Sequence, residues 1–178
     1  NSVHAWEEQD HPGEGAIRTA KKFAEAFDTH IDHVVRIDFR GFVAFMDALG
    51  GIDINVERGF TDAEYPAEDD LFQTVTFKKG QQHMDGATAL IYVRSRHGNN
   101  SEGGDFARAH RQQLVLQAVR ERLMSLNTLG DPNKLGNIYS AITRHVQTDL
   151  SPWDAFRLAP MIQDFSREKV ASHVITDA

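Results

Sequence analysis

The chain has 178 residues, 40% of them hydrophobic, which suits one globular domain with a continuous core. Its formal net charge of −7 disfavours nucleic acid as a partner, because the surface as a whole repels a polyanion. Without cysteine, disulfides, thiolate metal sites and cysteine nucleophiles are excluded. No run approaches the ~18 consecutive apolar residues of a bilayer span, so we expect any membrane anchor to lie outside these residues.

The first part of the chain predicts helix, strand, helix and strand in succession. Apolar residues at helical spacing predict a helix over about residues 14–28, and β-branched residues predict a short buried strand over about 33–39. A second amphipathic helix follows from about Phe39 to Leu49. The glycine pair after it can end the helix because glycine adopts positive φ readily. The alternating residues IDINV then predict a half-exposed strand.

The middle of the chain predicts a long loop, a short strand and a helix. The stretch over residues 58–72 is acidic and carries a proline, so it predicts a loop, and VTFKKG predicts a strand. From Asp85, an N-cap residue, the sequence predicts a helix that becomes extended by Tyr92 or Val93. Residues 97–104 predict a loop.

The last part of the chain is mostly helical by pattern. The longest helical pattern begins at or near Asp105, and further helices are predicted over about 131–146 and 152–164. KVASHVI predicts a closing strand. Alternating helices and strands predict one α/β domain over residues 1–178, with a layered central sheet flanked by helices.

The long helix brings polar residues onto an apolar stripe. Because successive residues turn by about 100°, Asp105, Arg108 and Gln112 share one face. The same stripe continues with the apolar residues Val115, Leu116, Val119 and Leu123. These four are expected to face the core, so Arg108 should be half-buried and should need Asp105, an anionic ligand, or both.

The segment before this helix adds further arginines. Arg94 and Arg96 flank Ser95, and in an extended segment both guanidinium groups would project from one face. Forked guanidinium donors match phosphate oxygens, and a helix N-terminus adds N–H groups, so the cluster predicts a phosphate or pyrophosphate site. For every arginine except Arg108, ion pairs with surface carboxylates are an equal alternative. Residues 94–111 contain four arginines (94, 96, 108 and 111) against two acids (102 and 105), a local excess of +2.

Other candidate groups have a simpler interpretation as solvated or flexible surface. His30 and His33 could ligand a metal, and His97 and His110 could assist proton transfer beside the arginines. A cation could bind to a group of acids, Asp62, Glu64, Glu68, Asp69 and Asp70. A phosphate could be cradled by a group of glycines, Gly98, Gly103 and Gly104.

Three blocks of sequence resemble one known family in their order and spacing. VRIDFRGFVAFMDALGGIDINV, GQQHMDGATALIYVRSR and DFARAHRQQLVLQAV are similar to the LytR-CpsA-Psr family of bacterial cell-wall ligases, over residues 1 to about 124. The resemblance implies an α/β fold in which helices sandwich a sheet. It also implies a membrane-anchored protein on the outer face of the bacterial cytoplasmic membrane.

The activity that the resemblance implies is phosphotransfer. An anionic glycopolymer, such as teichoic acid or arabinogalactan, would move from a polyprenyl pyrophosphate carrier to peptidoglycan. A muramic acid hydroxyl would attack the sugar-linked phosphorus, and polyprenyl monophosphate would leave. Three alternatives remain open: a pyrophosphatase with water as acceptor, a noncatalytic module that binds the lipid carrier, and a transcriptional regulator, which the acidic charge disfavours.

The resemblance also implies residue roles. Arg94 and Arg96 match paired arginines that grip the pyrophosphate, while Arg108 and Gln112 match helix residues that complete the head-group site. Asp105 matches an acid that positions them. The predicted catalytic residues are Arg94, Arg96, Asp105 and Arg108, and the predicted substrate-binding residues are Arg94, Arg96, Arg108, Arg111 and Gln112.

Two family motifs have no counterpart here. An Arg-Ser-Asp-Thr-like and a Pro-Arg-Asp-like motif, each on a strand upstream of these blocks, supply the magnesium-binding aspartates of the family. Neither stands in this sequence. We therefore expect the N-terminal strands of the domain and the Mg²⁺ ligands to lie outside this sequence. We expect no metal site within it, and these residues alone could be inactive.

Overall fold

A computed structural model describes residues 14–67, 71–125, 132–142 and 145–151, together with residues 9, 153, 154 and 157. The elements in chain order are α1 (Gly15–Ala26), β1 (Val35–Ile37), α2 (Phe39–Ala48), β2 (Ile52–Val56), β3 (Phe60–Pro66), β4 (Phe72–Phe77), β5 (Gly80–Met84), α3 (Gly86–Arg94), α4 (Gly104–Ser125), α5 (Pro132–Ile142) and β6 (Val146–Thr148). None of the described helices combines the length and the apolar character needed to cross a membrane.

The described strands pair into three antiparallel sheets of two strands each. β1 pairs with β6, β2 with β5, and β3 with β4. Helix α2 packs on α3 and α5, while α4 packs on β2 and α3. In β2 the residues alternate between buried and exposed, as expected for a strand with one face on the core. This combination of helices and sheets is an α/β fold, as the sequence predicts.

The core lies between the β2–β5 and β3–β4 pairs and the helices α2, α3 and α4. Three aromatic rings fill its centre: the Phe77 ring centroid lies 5.2 Å from that of Phe60 and 5.1 Å from that of Tyr92. Such ring pairs add about 0.5–1.5 kcal/mol beyond the apolar area that they bury. The aromatic cluster therefore anchors β3, β4 and α3 to one another.

Two glycine positions depend on the absence of a side chain. At the start of α3, a Cβ on Gly86 would lie 2.8 Å from the Cα of Val43, so only glycine lets α3 approach the backbone of α2 this closely. After α2, Gly50 and Gly51 have φ values of 73° and 77°, which confirms the predicted helix stop.

Four local predictions were wrong. Residues 58–72 contain strand β3 and the start of β4 instead of a long loop, because the acidic residues obscured a pattern that buries Phe60 and Tyr65. β5 was missed because its sequence, GQQHM, is polar. β1 is mostly exposed instead of buried. α3 stays helical through Tyr92 and Val93 to Arg94.

Three predicted elements lie partly or wholly outside the described residues. The helix predicted over about 131–146 is α5, which ends at Ile142. The predicted strand KVASHVI and most of the helix predicted over about 152–164 fall outside the part of the chain that the structure describes. The single-domain assignment for residues 1–178 stays a prediction.

Candidate functional site

The predicted arginine site lies where α3 ends and α4 begins, and Ser95 marks the change of direction. Ser95 is the C-cap of α3, with φ −55° and ψ 135°, so the backbone leaves the helical region there. Its N–H still donates to the Ile91 carbonyl at 3.0 Å. Its hydroxyl donates to Asp62 Oδ2 on strand β3 at 2.5 Å. Ser95 is fully buried, so the turn is fixed within the core.

Asp62 is a buried carboxylate that collects four donors. Oδ2 accepts from the Ser95 hydroxyl and from the N–H groups of Arg96 and His97, both at 3.1 Å, and Oδ1 accepts from the Glu64 N–H at 2.9 Å. Burial alone would raise the pKa of Asp62, but these hydrogen bonds outweigh it and lower the pKa below the usual 3.8. At 1% exposure Asp62 is not part of a solvated loop, which corrects that interpretation of this acid. Glu68, Asp69 and Asp70 of the same predicted group lie outside the described residues.

Arg111 is wholly buried and makes four hydrogen bonds. Nε donates to the Tyr92 carbonyl at 3.0 Å, and Nη1 donates to the carbonyl and to Oε2 of Glu102 at 2.8 and 3.0 Å. Nη2 donates to the Ser95 carbonyl. A side chain with 0% exposure cannot reach a ligand at the surface, so the predicted substrate contact of Arg111 does not fit its position. It holds the loop between α3 and α4.

The buried face of α4 differs from the predicted stripe. The buried positions are Arg111, Val115 and Ala118, whereas Leu116 is 69% exposed. The true stripe therefore begins with an arginine, which hydropathy assigns to the surface. Arg108 lies beside this face with its side chain 33% exposed, which agrees with the predicted partial burial, and Gln112 is exposed.

Asp105 joins two of the predicted arginines. Its Oδ1 lies 3.0 Å from Arg96 Nη2 and 3.1 Å from Arg108 Nη2. It stands in the first turn of α4, where the helix dipole favours a negative charge. Because all three side chains are partly or largely exposed, an anion has access to both guanidinium groups.

Arg94 is held by aromatic rings. Its guanidinium carbon lies 4.3 Å from the centroid of the Phe39 ring and 5.7 Å from that of Tyr65, and Nη1 donates to Tyr65 Oη at 3.4 Å. Burial raises the pKa of the Tyr65 hydroxyl, against the opposing effect of the Arg94 charge. No carboxylate within the described ranges forms an ion pair with Arg94.

The structure corrects the predicted orientation of the Arg94 and Arg96 side chains. Arg94 is the last residue of α3, so the two residues do not project from one face of an extended segment. Arg94 contacts β3 and α2, whereas Arg96 contacts α4. The predicted ion-pair alternative holds for Arg96 and Arg108, which share the single carboxylate of Asp105. Arg96 and Arg108 thus carry two positive charges against one carboxylate, which leaves positive charge for an anion.

The weaker candidate groups have local partners. His30 and His33 lie near Asp32 and Asp149, at 3.3 and 3.6 Å. His97 and His110 lie 3.8 Å from Glu64 and 3.5 Å from Glu57, respectively. Within the described part of the chain, no group of three or more histidine, aspartate or glutamate side chains could hold a metal ion. At Gly98, a Cβ would lie 2.8 Å from the Phe60 ring, so packing requires this glycine.

Three residues of the site were not identified from the sequence as part of it. Phe39 was assigned only to a helical stripe, Tyr65 only to a loop, and Ser95 only to a spacer. A strand prediction for β3 would have brought Tyr65 close to the α3 terminus. The contact between Phe39 and Arg94 depends on how α2 packs on α3, which no local pattern reveals.

These observations define the class of protein: an α/β domain with an exposed, net-positive arginine site at the junction of two helices. The chain belongs to the LytR_cpsA_psr family, whose model matches residues 4–178. It is 30% identical over 162 residues to the polyisoprenyl-teichoic acid–peptidoglycan teichoic acid transferase TagV of Bacillus subtilis, covering 91% of this chain and 39% of TagV.

Further relatives agree with this assignment. The cell wall biosynthesis protein LcpA of Corynebacterium glutamicum is 31% identical over 136 residues, covering 76% of this chain and 24% of LcpA. Among solved structures, protein gbs0355 of Streptococcus agalactiae superposes with a TM-score of 0.66 at 26% identity, covering 82% of this chain and 47% of that one. The chain therefore spans less than half the length of each of these proteins.

Proposed function

We propose that this chain is the arginine-bearing part of a transferase that moves a glycopolymer from a polyprenyl pyrophosphate carrier onto peptidoglycan. The family assignment and the names of TagV and LcpA support the transferase and cell-wall parts of this proposal. The observation that carries it is the pair of Arg96 and Arg108 on the shared carboxylate of Asp105, with Arg94 two residues before Arg96 and without an ion pair to any described carboxylate. A pyrophosphate needs several forked donors at one place, and this cluster offers them.

The three arginines have different tasks in the proposed reaction. Arg96 and Arg108 meet at Asp105 Oδ1 with partly exposed side chains, so they can share one phosphate between them. Arg94 keeps its donors free of any described carboxylate, while the Phe39 and Tyr65 rings restrict its movement. Preoriented cations of this kind stabilise a transition state because they need little rearrangement as charge develops.

The proposed chemistry is phosphoryl transfer at the sugar-linked phosphorus. An acceptor hydroxyl forms a new P–O bond and releases its proton to the solvent, the bond from this phosphorus to the bridging oxygen breaks, and polyprenyl monophosphate leaves with the electron pair. The arginines stabilise the negative charge that grows on the bridging and nonbridging oxygens. Asp105 is unsuited to remove the hydroxyl proton because two guanidinium groups hold it, so we assign it the positioning of Arg96 and Arg108.

A role for magnesium in the reaction is a proposal that rests on the family alone. Among the described residues, no group of three or more acidic or histidine side chains comes together to hold a metal ion. We propose that the ligands of a magnesium ion lie outside this sequence. We likewise propose that the activity needs residues beyond this chain, and that the protein is anchored to the membrane and works on its outer face.

The test of the proposal is product analysis with the full-length gene product. A lipid-linked glycopolymer labelled in its sugar would be incubated with magnesium and peptidoglycan. The proposal predicts labelled polymer bound covalently to peptidoglycan, together with polyprenyl monophosphate. Polymer phosphate released only into water would instead identify a pyrophosphatase. Tight binding without any product would identify a noncatalytic binding module.

A further inference from the structure

Ser95, the residue between Arg94 and Arg96, is held at all three of its polar groups. Its hydroxyl donates to Asp62 Oδ2, its N–H donates to Ile91, and its carbonyl accepts from Arg111 Nη2. We call Asp62, Ser95 and Arg111 the Ser95 clamp. All three are buried, so solvent does not compete for these hydrogen bonds.

The conformation of Ser95 decides where the two arginines lie relative to each other. Had α3 continued, Arg96 would stand about 200° around the helix from Arg94, on the opposite side. With ψ at 135° the chain turns away, and the N–H groups of Arg96 and His97 meet Asp62 instead of helical carbonyls. The Arg96 side chain then reaches Asp105 on α4.

Strand β3 acts on both arginines at once. Asp62 accepts a hydrogen bond from the backbone N–H of Arg96, and Tyr65, three residues further along β3, contacts the guanidinium of Arg94. A buried carboxylate is costly unless donors surround it, and here four do. Asp62 is 1% exposed and accepts four hydrogen bonds from the protein, so the carboxylate does not face a ligand at the surface.

We propose that Asp62, acting through Ser95, is a positioning residue that sets the spacing of Arg94 and Arg96 for a pyrophosphate without touching it. This inference rests on the proposed function and adds to it. It assigns a role in ligand affinity to a buried acid of β3 that lies outside the arginine cluster. The clamp holds the backbone of the cluster, and Asp105 holds its side chains.

The test is a double-mutant cycle for the affinity of a short-chain polyprenyl pyrophosphate, measured on the full-length gene product. Ser95→Ala, which removes one hydroxyl, and Asp62→Asn should each weaken binding about tenfold, the magnitude of one hydrogen bond to a charged group. In an Arg96→Ala background, the same substitutions should change affinity less than about twofold, because the group that they position is gone. Ser125→Ala, which removes only a local bond to the Arg122 carbonyl, is the matched control.

A general structural role predicts a different result. Equal losses of affinity in the parent and in the Arg96→Ala background, or full affinity in a folded Ser95→Ala protein, would overturn the positioning role. Thermal melting of every variant identifies those that do not fold. If Asp62→Asn is among them, Ser95→Ala carries the test. The proposed function fails separately, when Arg94→Ala and Arg96→Ala themselves leave the affinity unchanged.

Discussion

Replacing Arg111 with methionine should destabilise the fold severely. The substitution keeps much of the side-chain length but removes all four hydrogen bonds, which leaves the carbonyls of Tyr92, Ser95 and Glu102 without this donor. Within the described residues, the Glu102 carboxylate then has its 3.3 Å contact with Arg58. Breaking a buried ion pair from one side costs about 3–5 kcal/mol, and the unsatisfied carbonyls add to the cost. We expect a loss of roughly 3–5 kcal/mol in the free energy of unfolding, a large fraction of a typical total.

Urea unfolding at equilibrium measures this loss, and the same helix provides the control. Arg108→Met, one turn earlier, removes a partly exposed pair with Asp105 and should cost about 1 kcal/mol or less. Adding Glu102→Gln to Arg111→Met should cost less than the sum of the two single changes, because no unpaired charge stays behind. Losses within about 1 kcal/mol of each other for Arg111→Met and Arg108→Met would refute the reasoning.

Four further substitutions probe the acid response, the helix packing and the support of Arg94. The folded pKa of Asp62 lies below 3.8, so the contribution of this carboxylate to the free energy of unfolding is complete at higher pH and is lost as the pH falls through the folded pKa. Asp62→Asn should therefore flatten the decline of the free energy of unfolding, measured with urea, below about pH 5. Gly86→Ala should destabilise the fold by roughly 1–3 kcal/mol in thermal melts, because the new Cβ meets the α2 backbone. Gly136→Ala, whose Cβ would enter open space, should stabilise the fold by about 0.5–1 kcal/mol. Phe39→Leu should weaken pyrophosphate affinity about two- to fivefold through the loss of its contact with Arg94.

Each of these expectations has a clear contrary result. An acid limb of the same slope in the parent and in Asp62→Asn would mean that other carboxylates carry the acid sensitivity. Equal melting temperatures for Gly86→Ala and Gly136→Ala would mean that α2 and α3 separate at little cost. Unchanged affinity in Phe39→Leu would show that Arg94 needs no aromatic support.

The elements with strong periodicity could be predicted from the sequence. α1, α2 and β2 lie where their apolar spacing predicts, and Gly50 and Gly51 end α2 as expected. β3 and β5 could not, because a strand that buries an aspartate among exposed acids, or carries mostly glutamine and histidine, lacks the apolar alternation that marks a strand. Each strand forms through hydrogen bonds to a partner strand, β4 for β3 and β2 for β5, and the local sequence does not reveal that partner.

The candidate site was predictable as a set of residues but not as an arrangement. The motif gave Arg94, Arg96, Asp105 and Arg108, and the structure brings Arg96, Asp105 and Arg108 together. The burial of Arg111 could not be predicted, because an arginine enters a core only where carbonyls converge on it, and those carbonyls belong to α3 and the loop after it.

The most direct test of the pyrophosphate site is binding of polyprenyl pyrophosphate, with magnesium, to the full-length gene product and its variants. Arg94→Ala and Arg108→Ala should each lose roughly 2 kcal/mol or more of binding free energy with the fold intact. Arg18→Ala, which removes an exposed arginine paired with Glu14 on α1, should bind like the parent. Unchanged affinity in both site variants would contradict the account and show that these arginines serve the fold alone.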